Sequence, residues 1–249
     1  MDYPLLIPLT ASLIGFAGYI LGGMFGFFTH YVMKRYLIWF QTFAGGLLVG
    51  ILLFELLPET LQTGDSFGVF AGMCFGFFIM KLLDHFLHEK MTKFSILQDQ
   101  NWHSYFFLMI GILVHNFPTG ISIGTAVMTS EDLFTAFLVV LFLHHIPEGM
   151  ALISPLFLLR KSFMIFVHSA CGLALVLGLG TWLGMSVGLA ANESFTRIST
   201  WLMGCAVGMV SFVAIHEILW KTYQQLSFFR FSFIVCSAII ITKAYFTFF

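Results

Sequence analysis

The chain has 249 residues, of which 59% are hydrophobic and only 9% are charged. A soluble domain carries about 25% charged residues, so the composition excludes a soluble globular protein and predicts a polytopic membrane protein. The net charge of −1 carries no information about nucleic acid. No basic patch with interleaved aromatic residues occurs, however, and nucleic-acid binding is therefore set aside.

Eight windows of apolar residues are each about 20 residues long, enough to cross a hydrocarbon core of about 30 Å. In chain order they cover residues 4–28, 37–57, 67–83, 105–128, 132–158, 162–190, 200–220 and 228–247. The connections between them are short except for residues 84–104. The sequence therefore predicts an all-α fold of eight transmembrane helices, with residues 1–249 as a single transmembrane domain.

The basic residues divide unequally between the two sides of these spans. With the N-terminus outside, only Arg197 and Lys243 fall on the outer side. The inner side collects Lys34, Arg35, Lys81, Lys90, Lys93, Arg160, Lys161, Lys221 and Arg230. This asymmetry follows the positive-inside rule. It predicts that both termini lie outside and that the connection 84–104 is cytoplasmic.

Two pairs of segments repeat along the chain. The segment HNFPTG, which begins at His115 in span four, returns as HHIPEG, which begins at His144 in span five. Spans two and seven share a glycine nine residues before a glutamate, Glu55 in one and Glu217 in the other. We therefore predict that spans 1–3 and 6–8 are inverted repeats around spans 4–5, an arrangement that places substrate sites near the bilayer midplane.

The HHIPEG segment predicts a site for a divalent metal. A charged side chain costs about 2.5–3.5 kcal/mol at mid-membrane, so an ionisable group there is usually paired or bound. On a helix, Glu148 shares a face with His144 at i, i+4 and with His145 at i, i+3. Imidazole nitrogens beside a carboxylate suit Zn²⁺ and its neighbours. The alternative is a pair of helix-packing histidines hydrogen-bonded to Glu148.

The HNFPTG segment offers His115 and the neutral amide oxygen of Asn116, with a polar bond between spans four and five as the alternative. Pro118 and Pro147 cannot donate to the carbonyl one turn earlier, so we expect each to bend its helix. The two bent helices are predicted to face each other and to hold the metal. The predicted ligands are His115, Asn116, His144, His145 and Glu148.

These paired motifs resemble those of the ZIP family of divalent-metal transporters, and the segment FELLPE at residues 54–59 is similar to the family's second span. The resemblance covers the whole length and span count, as in a short, bacterial-type member. It implies an uptake carrier in the plasma or inner membrane, moving Zn²⁺ and sometimes Fe²⁺, Mn²⁺ or Cd²⁺ into the cytoplasm. The implied partners are the metal ion and the lipid bilayer, and the family suggests a homodimer. No cofactor is expected besides the transported metal.

Three positions depart from the family pattern. Thr119 stands where the family usually has Glu, His145 where it often has Asn or Asp, and Leu175 where span six often has Glu. We therefore expect a smaller, more imidazole-rich site that binds hard cations weakly. His168 in span six is a candidate replacement ligand, and an ordinary interhelical hydrogen bond is the alternative.

Further polar residues are candidates for the ion pathway. Glu55 and Glu59, at the outer end of span two, predict a cation entrance, or else they are solvated at the interface. His216 and Glu217, at the inner end of span seven, predict an exit site, or else they cap or pack their helix. The histidines of residues 84–104, His103 among them, are predicted to be solvated, with transient metal binding as the alternative.

Two other function classes compete with transport. An intramembrane zinc hydrolase is disfavoured because the chain contains neither the HExxH motif nor its reversed form, so we predict that the protein is not an enzyme. A non-transporting family member, acting as a metal sensor or partner subunit, is the other alternative. It is motivated by the uncharged residues Thr119 and Leu175.

Overall fold

The computed structural model describes residues 5–32, 36–63, 65–91, 100–127, 131–159, 163–188 and 193–248. Within these ranges all regular elements are helical, as the composition predicted. The α-helices in chain order are α1 (Leu6–Val32), α2 (Leu37–Ile51), α3 (Leu57–Thr63), α4 (Ser66–Met91), α5 (Gln100–Val127), α6 (Glu131–Leu158), α7 (Phe163–Gly188), α8 (Glu193–Phe212), α9 (Trp220–Tyr223) and α10 (Phe228–Phe248).

Seven stretches of the described residues are long and apolar enough to cross a membrane. They are Leu6–Thr29, Leu37–Gln62, Ser66–Phe86, Asn101–Thr125, Phe163–Ser186, Thr200–Tyr223 and Phe228–Thr247. Each coincides with one of the predicted windows. The remaining window, 132–158, coincides with α6, whose residues 148–156 are all buried within the bundle. Helices α5 and α6 continue through Pro118 and Pro147.

The predicted connection 84–104 is largely helical. Helix α4 continues to Met91 and α5 begins at Gln100, so only residues 92–99 of this stretch lie outside the described residues. The prediction of a solvated loop was wrong for His103, which is buried in the first turn of α5. The length of an apolar window identifies only the part of a helix that lies in the hydrocarbon core. The helix continues past that part when the polar residues at its end find partners.

Glycines allow the closest helix pairs to form. A Cβ at Gly22 of α1 would collide with the carbonyl oxygen of Ile146 in α6, and one at Gly180 of α7 would collide with that of Phe117 in α5. In a membrane, small residues of this kind let helix backbones approach where no water-exclusion force drives them together. The pairs α1–α6 and α5–α7 are consequently the tightest in the fold, together with α4–α8.

Two π-helical segments interrupt otherwise α-helical spans. Leu52–Leu56 joins α2 to α3, and Val213–Leu219 joins α8 to α9. Each contains the glutamate of the predicted repeat, Glu55 in the first and Glu217 in the second. A π segment adds a residue to the turn and so rotates the following side chains away from a regular 100° spacing. Such segments are frequent at functional sites.

Two apolar clusters fill the bundle. The larger involves most helices and contains Phe107, Phe212, Leu152 and Phe166 among its fully buried side chains. The smaller one lies near the C-terminal end of α5 and consists of Ala11, Ile123, Val127, Leu141 and Leu177. Between the two, α5 and α6 bring a set of buried polar side chains together.

Candidate metal centre

Three of the predicted ligands converge at the centre of the bundle. His115 of α5 and His144 and Glu148 of α6 are all buried, and one ligand atom of each lies within 4.8 Å of the other two. The Nε2 atoms of His115 and His144 are 3.3 Å apart. The His144 Nε2 atom lies 3.2 Å from Glu148 Oε1. Two imidazole nitrogens and one carboxylate oxygen therefore point at one small space, which is the donor set that Zn²⁺ prefers.

Glu55 completes this centre from the other side of His144. Its Oε2 atom lies 2.8 Å from His144 Nδ1, so the ring is held between two carboxylates. In the tautomer whose Nδ1–H donates to Glu55, Nε2 has the lone pair that a metal requires. Metal-binding histidines are commonly oriented by a carboxylate in this way. The sequence predicted Glu55 at a cation entrance, whereas the first π segment turns it into the central cluster.

Tyr19 of α1 is a member of this site that sequence reasoning missed. It is fully buried, and its hydroxyl donates to Glu148 Oε2 at 3.0 Å while accepting from Asn116 Nδ2 at 2.8 Å. The edge of its ring meets His145, with ring centroids 4.4 Å apart and an interplanar angle of 90°. No local motif marks Tyr19, and its position beside Gly18 in an apolar span was the only signal.

Asn116 and His145 lie on the Tyr19 side of Glu148, away from the two converging histidines. Asn116 Nδ2 also donates to the carbonyl of Leu173 at 3.1 Å, and its buried Oδ1 has no hydrogen-bond partner among the described residues. The Nδ1–H of His145 donates to the carbonyl of Leu141 at 2.6 Å. His145 Nε2 is buried 3.9 Å from Glu148 Oε2 and has no hydrogen-bond partner in the part of the chain that the structure describes. Both residues thus keep one ligand atom free.

Thr119 occupies the position where the family usually has a glutamate. Its hydroxyl lies 3.4 Å from His115 Nε2 and donates to the carbonyl of His115 at 3.0 Å. The side chain therefore lines the centre without contributing charge. Leu175, the second uncharged departure, is 57% exposed on α7 and points away from the centre.

One accessory candidate, His168, does not join the centre. His168 lies on the exposed face of α7, where its Nδ1–H donates to the carbonyl of Met164 at 2.7 Å. The side chain of Glu59 lies outside the described residues. His168 is consequently not among the residues that the structure brings together.

A second polar cluster lies near the N-terminal end of α5. Asp84, His103 and Glu217 place their ligand atoms within 4.8 Å of one another. His103 Nε2 lies 3.3 Å from Asp84 Oδ1, and its Nδ1 lies 3.6 Å from Glu217 Oε2. We call these three residues the α5 N-terminal cluster. His216, predicted beside Glu217, keeps an exposed side chain and contacts Glu217 Oε1 through Nδ1 at 3.3 Å.

A lysine already pairs with Glu217 in this second cluster. Lys221 Nζ donates to Glu217 Oε2 at 2.6 Å and to Ser104 Oγ at 2.9 Å, and Ser104 Oγ donates to the same carboxylate oxygen at 3.1 Å. Sequence reasoning named Glu217 but missed Asp84 and Ser104 as its neighbours. The i, i+4 spacing of Glu217 and Lys221 is a signal that could have identified the ion pair.

The two clusters are the groups of His, Cys, Asp and Glu in the described part of the chain that are close enough to hold a metal ion. The four cysteines are all unpaired, and only Cys205 is buried. In the central cluster, Glu148 and Glu55 have imidazoles, a phenol and no ammonium or guanidinium among their described partners. A divalent cation would supply the missing positive charge.

Comparison with known proteins agrees with this chemistry. Residues 97–242, more than half of the chain, match the family model described as ZIP Zinc transporter. The matched range includes His115, His144 and Glu148, whereas Tyr19 and Glu55 precede it.

Individual relatives carry the same description. A protein named Zinc transporter ZupT from Enterobacter sp. (strain 638) is 30% identical over 142 residues, covering 53% of this chain and 53% of that protein. One from Stenotrophomonas maltophilia (strain K279a) is 27% identical over 234 residues, covering 86% of this chain and 84% of that protein. One from Salmonella heidelberg (strain SL476) is 29% identical over 144 residues, covering 53% and 54%. The chain thus spans about half the length of the first and third relatives and most of the second.

Proposed function

Because the chain belongs to the ZIP family of zinc transporters, we propose that it carries a divalent metal ion across a membrane into the cytoplasm, with Zn²⁺ as its main substrate. The observation that carries this proposal is the buried convergence of His115, His144 and Glu148. Relatives named as zinc transporters favour transport over a sensor or a hydrolase.

The charge of the central cluster supports a cation as its ligand. Glu148 is 1% exposed, and an uncompensated carboxylate in such a place is expensive. A Zn²⁺ ion bound by His115 Nε2, His144 Nε2 and Glu148 Oε1 would have three protein ligands and an open fourth position. An incomplete shell suits a transported ion, which must be released again.

The donor set also bears on which metals are carried. Two imidazoles with one carboxylate oxygen favour Zn²⁺ and its nitrogen-preferring neighbours over Mg²⁺ or Ca²⁺. Fe²⁺, Mn²⁺ and Cd²⁺ are proposed as secondary substrates, with Mn²⁺ the weakest because it prefers oxygen ligands. His145 and Asn116 are proposed as assisting ligands, since each keeps a buried ligand atom without a partner.

The two ends of α5 suggest the direction of release. The smaller apolar cluster of Ile123, Leu141 and Leu177 closes the end predicted to lie outside. His103 lies 12 residues before His115, about 18 Å along the same helix at 1.5 Å per residue. We propose that the ion leaves toward the α5 N-terminal cluster, where Glu217 and His216 form the exit. Glu59 is proposed to lie on the entry route, and Glu55 at the point where that route reaches His144.

Paired helix contacts support the proposed eight-span topology with inverted repeats. Gly149 of α6 packs against the backbone of Tyr19 in α1, and Gly120 of α5 packs in the same way against Leu177 in α7. Spans two and eight contact each other, as do spans seven and three. A two-fold relation that exchanges spans 1–3 with 6–8 and span four with span five produces these pairs. We count α6 as span five, which brings the number of spans to eight, and we place both termini outside.

The remaining proposals follow from the family. A single transmembrane domain spanning residues 1–249 and a location in the plasma or inner membrane are inferred from the helices and the relatives. The homodimer stays a prediction that rests on the resemblance alone. No enzymatic role is proposed.

The test is radiotracer Zn²⁺ flux into proteoliposomes that contain the purified full-length chain. We expect time-dependent uptake by the wild type, and loss of that uptake in Glu148→Ala and His144→Ala. His168→Ala is the matched control because it removes an exposed imidazole of an adjacent helix. Uptake that persists in both site variants, or wild-type protein that binds Zn²⁺ without moving it, would contradict the proposal.

A further inference from the structure

We propose that Tyr19 is a positioning residue that restricts Glu148 to one metal-binding oxygen and thereby sets the preference of the site for Zn²⁺ over Mn²⁺. The inference rests on the proposed function, because it concerns the selectivity of the same site. It assigns a role to a residue of α1 that lies 97 positions from Asn116 and 129 positions from Glu148.

The two oxygens of Glu148 have separate partners. Oε1 faces the imidazole pair, 3.2 Å from His144 Nε2. Oε2 accepts a hydrogen bond from the Tyr19 hydroxyl at 3.0 Å. A hydrogen bond to a carboxylate is strong and is strengthened further in a buried, low-dielectric place. An ion between the two histidines therefore meets Glu148 through Oε1 alone.

The same hydroxyl also restrains Asn116. Asn116 Nδ2 donates to the Tyr19 oxygen at 2.8 Å and to the Leu173 carbonyl at 3.1 Å. With both Nδ2 hydrogens engaged, the orientation of the amide is defined and its Oδ1 stays without a hydrogen-bond partner. Tyr19 thus holds two potential oxygen ligands, Glu148 Oε2 and the Asn116 amide, in positions set by its own hydroxyl.

Tyr19 cannot easily move away from these partners. Its backbone packs directly against Gly149, the residue after Glu148, where a Cβ would collide with the Tyr19 carbonyl. Its neighbour Gly18 packs against His145, 2.8 Å from a Cβ placed at the glycine. The ring edge meets the His145 ring at a centroid distance of 4.4 Å. The close packing of α1 against α6 therefore holds the hydroxyl in place.

The consequence is a primary donor set of two imidazole nitrogens and one carboxylate oxygen, to which His145 and Asn116 are only assisting ligands. Such a set suits Zn²⁺, whereas carboxylate and carbonyl oxygens suit Mn²⁺ and the alkaline-earth ions. Removing the hydroxyl frees Glu148 Oε2 for bidentate binding and lets the Asn116 amide rotate. The site then gains oxygen ligands without losing either imidazole. The affinity for Mn²⁺ should therefore rise more than the affinity for Zn²⁺.

The test compares Tyr19→Phe with the wild type by equilibrium competition between Mn²⁺ and radiolabelled Zn²⁺ on the purified full-length chain. We expect the ratio of the Mn²⁺ Kd to the Zn²⁺ Kd to fall about tenfold, the order of effect of a charge-assisted hydrogen bond on an equilibrium. Tyr105→Phe is the matched control, because Tyr105 is also buried but its hydroxyl contacts Ser169. Its ratio should equal that of the wild type.

An unchanged ratio in Tyr19→Phe, or parallel losses for both metals, would reduce Tyr19 to a structural role and overturn the inference. Zinc K-edge X-ray absorption on the wild type gives an independent check that needs no variant. We expect a single carboxylate oxygen at about 2.0 Å, and a bidentate carboxylate would also overturn the inference. Wild-type protein that binds no Zn²⁺ defeats the proposed function as well, whereas intact Zn²⁺ flux with an unchanged ratio defeats only the role of Tyr19.

Discussion

The two polar clusters of this protein are built from similar parts and reach opposite electrostatic states. Both combine imidazole with two carboxylates, and in both one carboxylate comes from a π segment, Glu55 at the centre and Glu217 near the N-terminal end of α5. At the centre, Glu55 and Glu148 contact only imidazoles and a phenol among the described side chains. In the α5 N-terminal cluster, the Lys221 ammonium lies 2.6 Å from Glu217.

The difference can be traced to one position in the repeated segments. Four residues after Glu55 the chain has Glu59, and four residues after Glu217 it has Lys221. On a helix the i+4 residue lies over the same face, so the second repeat supplies its own counter-ion and the first does not. The central cluster therefore lacks a positive charge that a metal would provide. The α5 N-terminal cluster instead holds a covalently attached cation that a passing metal must displace.

The largest effect on Zn²⁺ binding is expected when one carboxylate of each cluster is replaced in a separate variant. Glu148→Gln should weaken Zn²⁺ binding at least about 100-fold, because a charged ligand is replaced by a neutral amide. Glu217→Gln should leave the tightest Zn²⁺ site almost unchanged, because Glu217 belongs to the other cluster and is already paired with Lys221. Isothermal titration of the purified chain measures both affinities. Equal losses in the two variants would show that the clusters do not differ as described.

Glu55 tests whether the central cluster depends on the orientation of His144. Glu55→Gln should weaken Zn²⁺ binding about tenfold, as is common when a carboxylate that orients a metal-binding histidine is changed. The smaller effect is expected because the His144 Nε2 atom, not Glu55, faces the ion. The same titration measures it. A loss as large as that of Glu148→Gln would identify Glu55 as a direct ligand instead.

Lys221 tests the effect of the Glu217–Lys221 ion pair on the other cluster. In Lys221→Met, Glu217 loses its ammonium partner, so the α5 N-terminal cluster should bind a second, weaker equivalent of Zn²⁺. Equilibrium dialysis would show the change in stoichiometry. Lys243→Met is the control, since Lys243 is exposed and its ammonium lies 5.8 Å from the centre of the Phe54 ring. An unchanged stoichiometry in Lys221→Met would contradict this account of the cluster.

The smallest effect is expected for His168. Its imidazole is exposed and bonded to the carbonyl of Met164 in its own helix, so His168→Ala should leave Zn²⁺ affinity and flux at wild-type values. His144→Ala, measured in parallel, should lose both Zn²⁺ affinity and Zn²⁺ flux. A clear loss of flux in His168→Ala would show that α7 turns toward the ion path during transport.

Much of the fold and part of the site could be predicted from local sequence. Apolar windows located the seven membrane-capable helices and α6, because a lipid core selects for length and hydropathy residue by residue. The spacing of His144 and Glu148 is a property of one helix, and the structure confirms that they meet at 3.2 Å. Within the connection 84–104, the described residues continue α4 and α5, and the predicted solvation was wrong for His103 because its helix turn finds buried polar partners.

The sequence by itself determined the class of the protein, the positions of its helices and the repeated motifs that carry its central histidines, since these depend on composition and helical period. Only the tertiary structure decided that Tyr19 reaches Glu148, that Glu55 contacts His144, and that His103 is buried beside Glu217. Those contacts depend on which helices approach closely and on the rotation that π segments add. Neither the choice of helix partners nor this rotation produces a periodic pattern in the sequence. Helix partners in a membrane are selected by shape at a few glycines and not by a continuous apolar stripe.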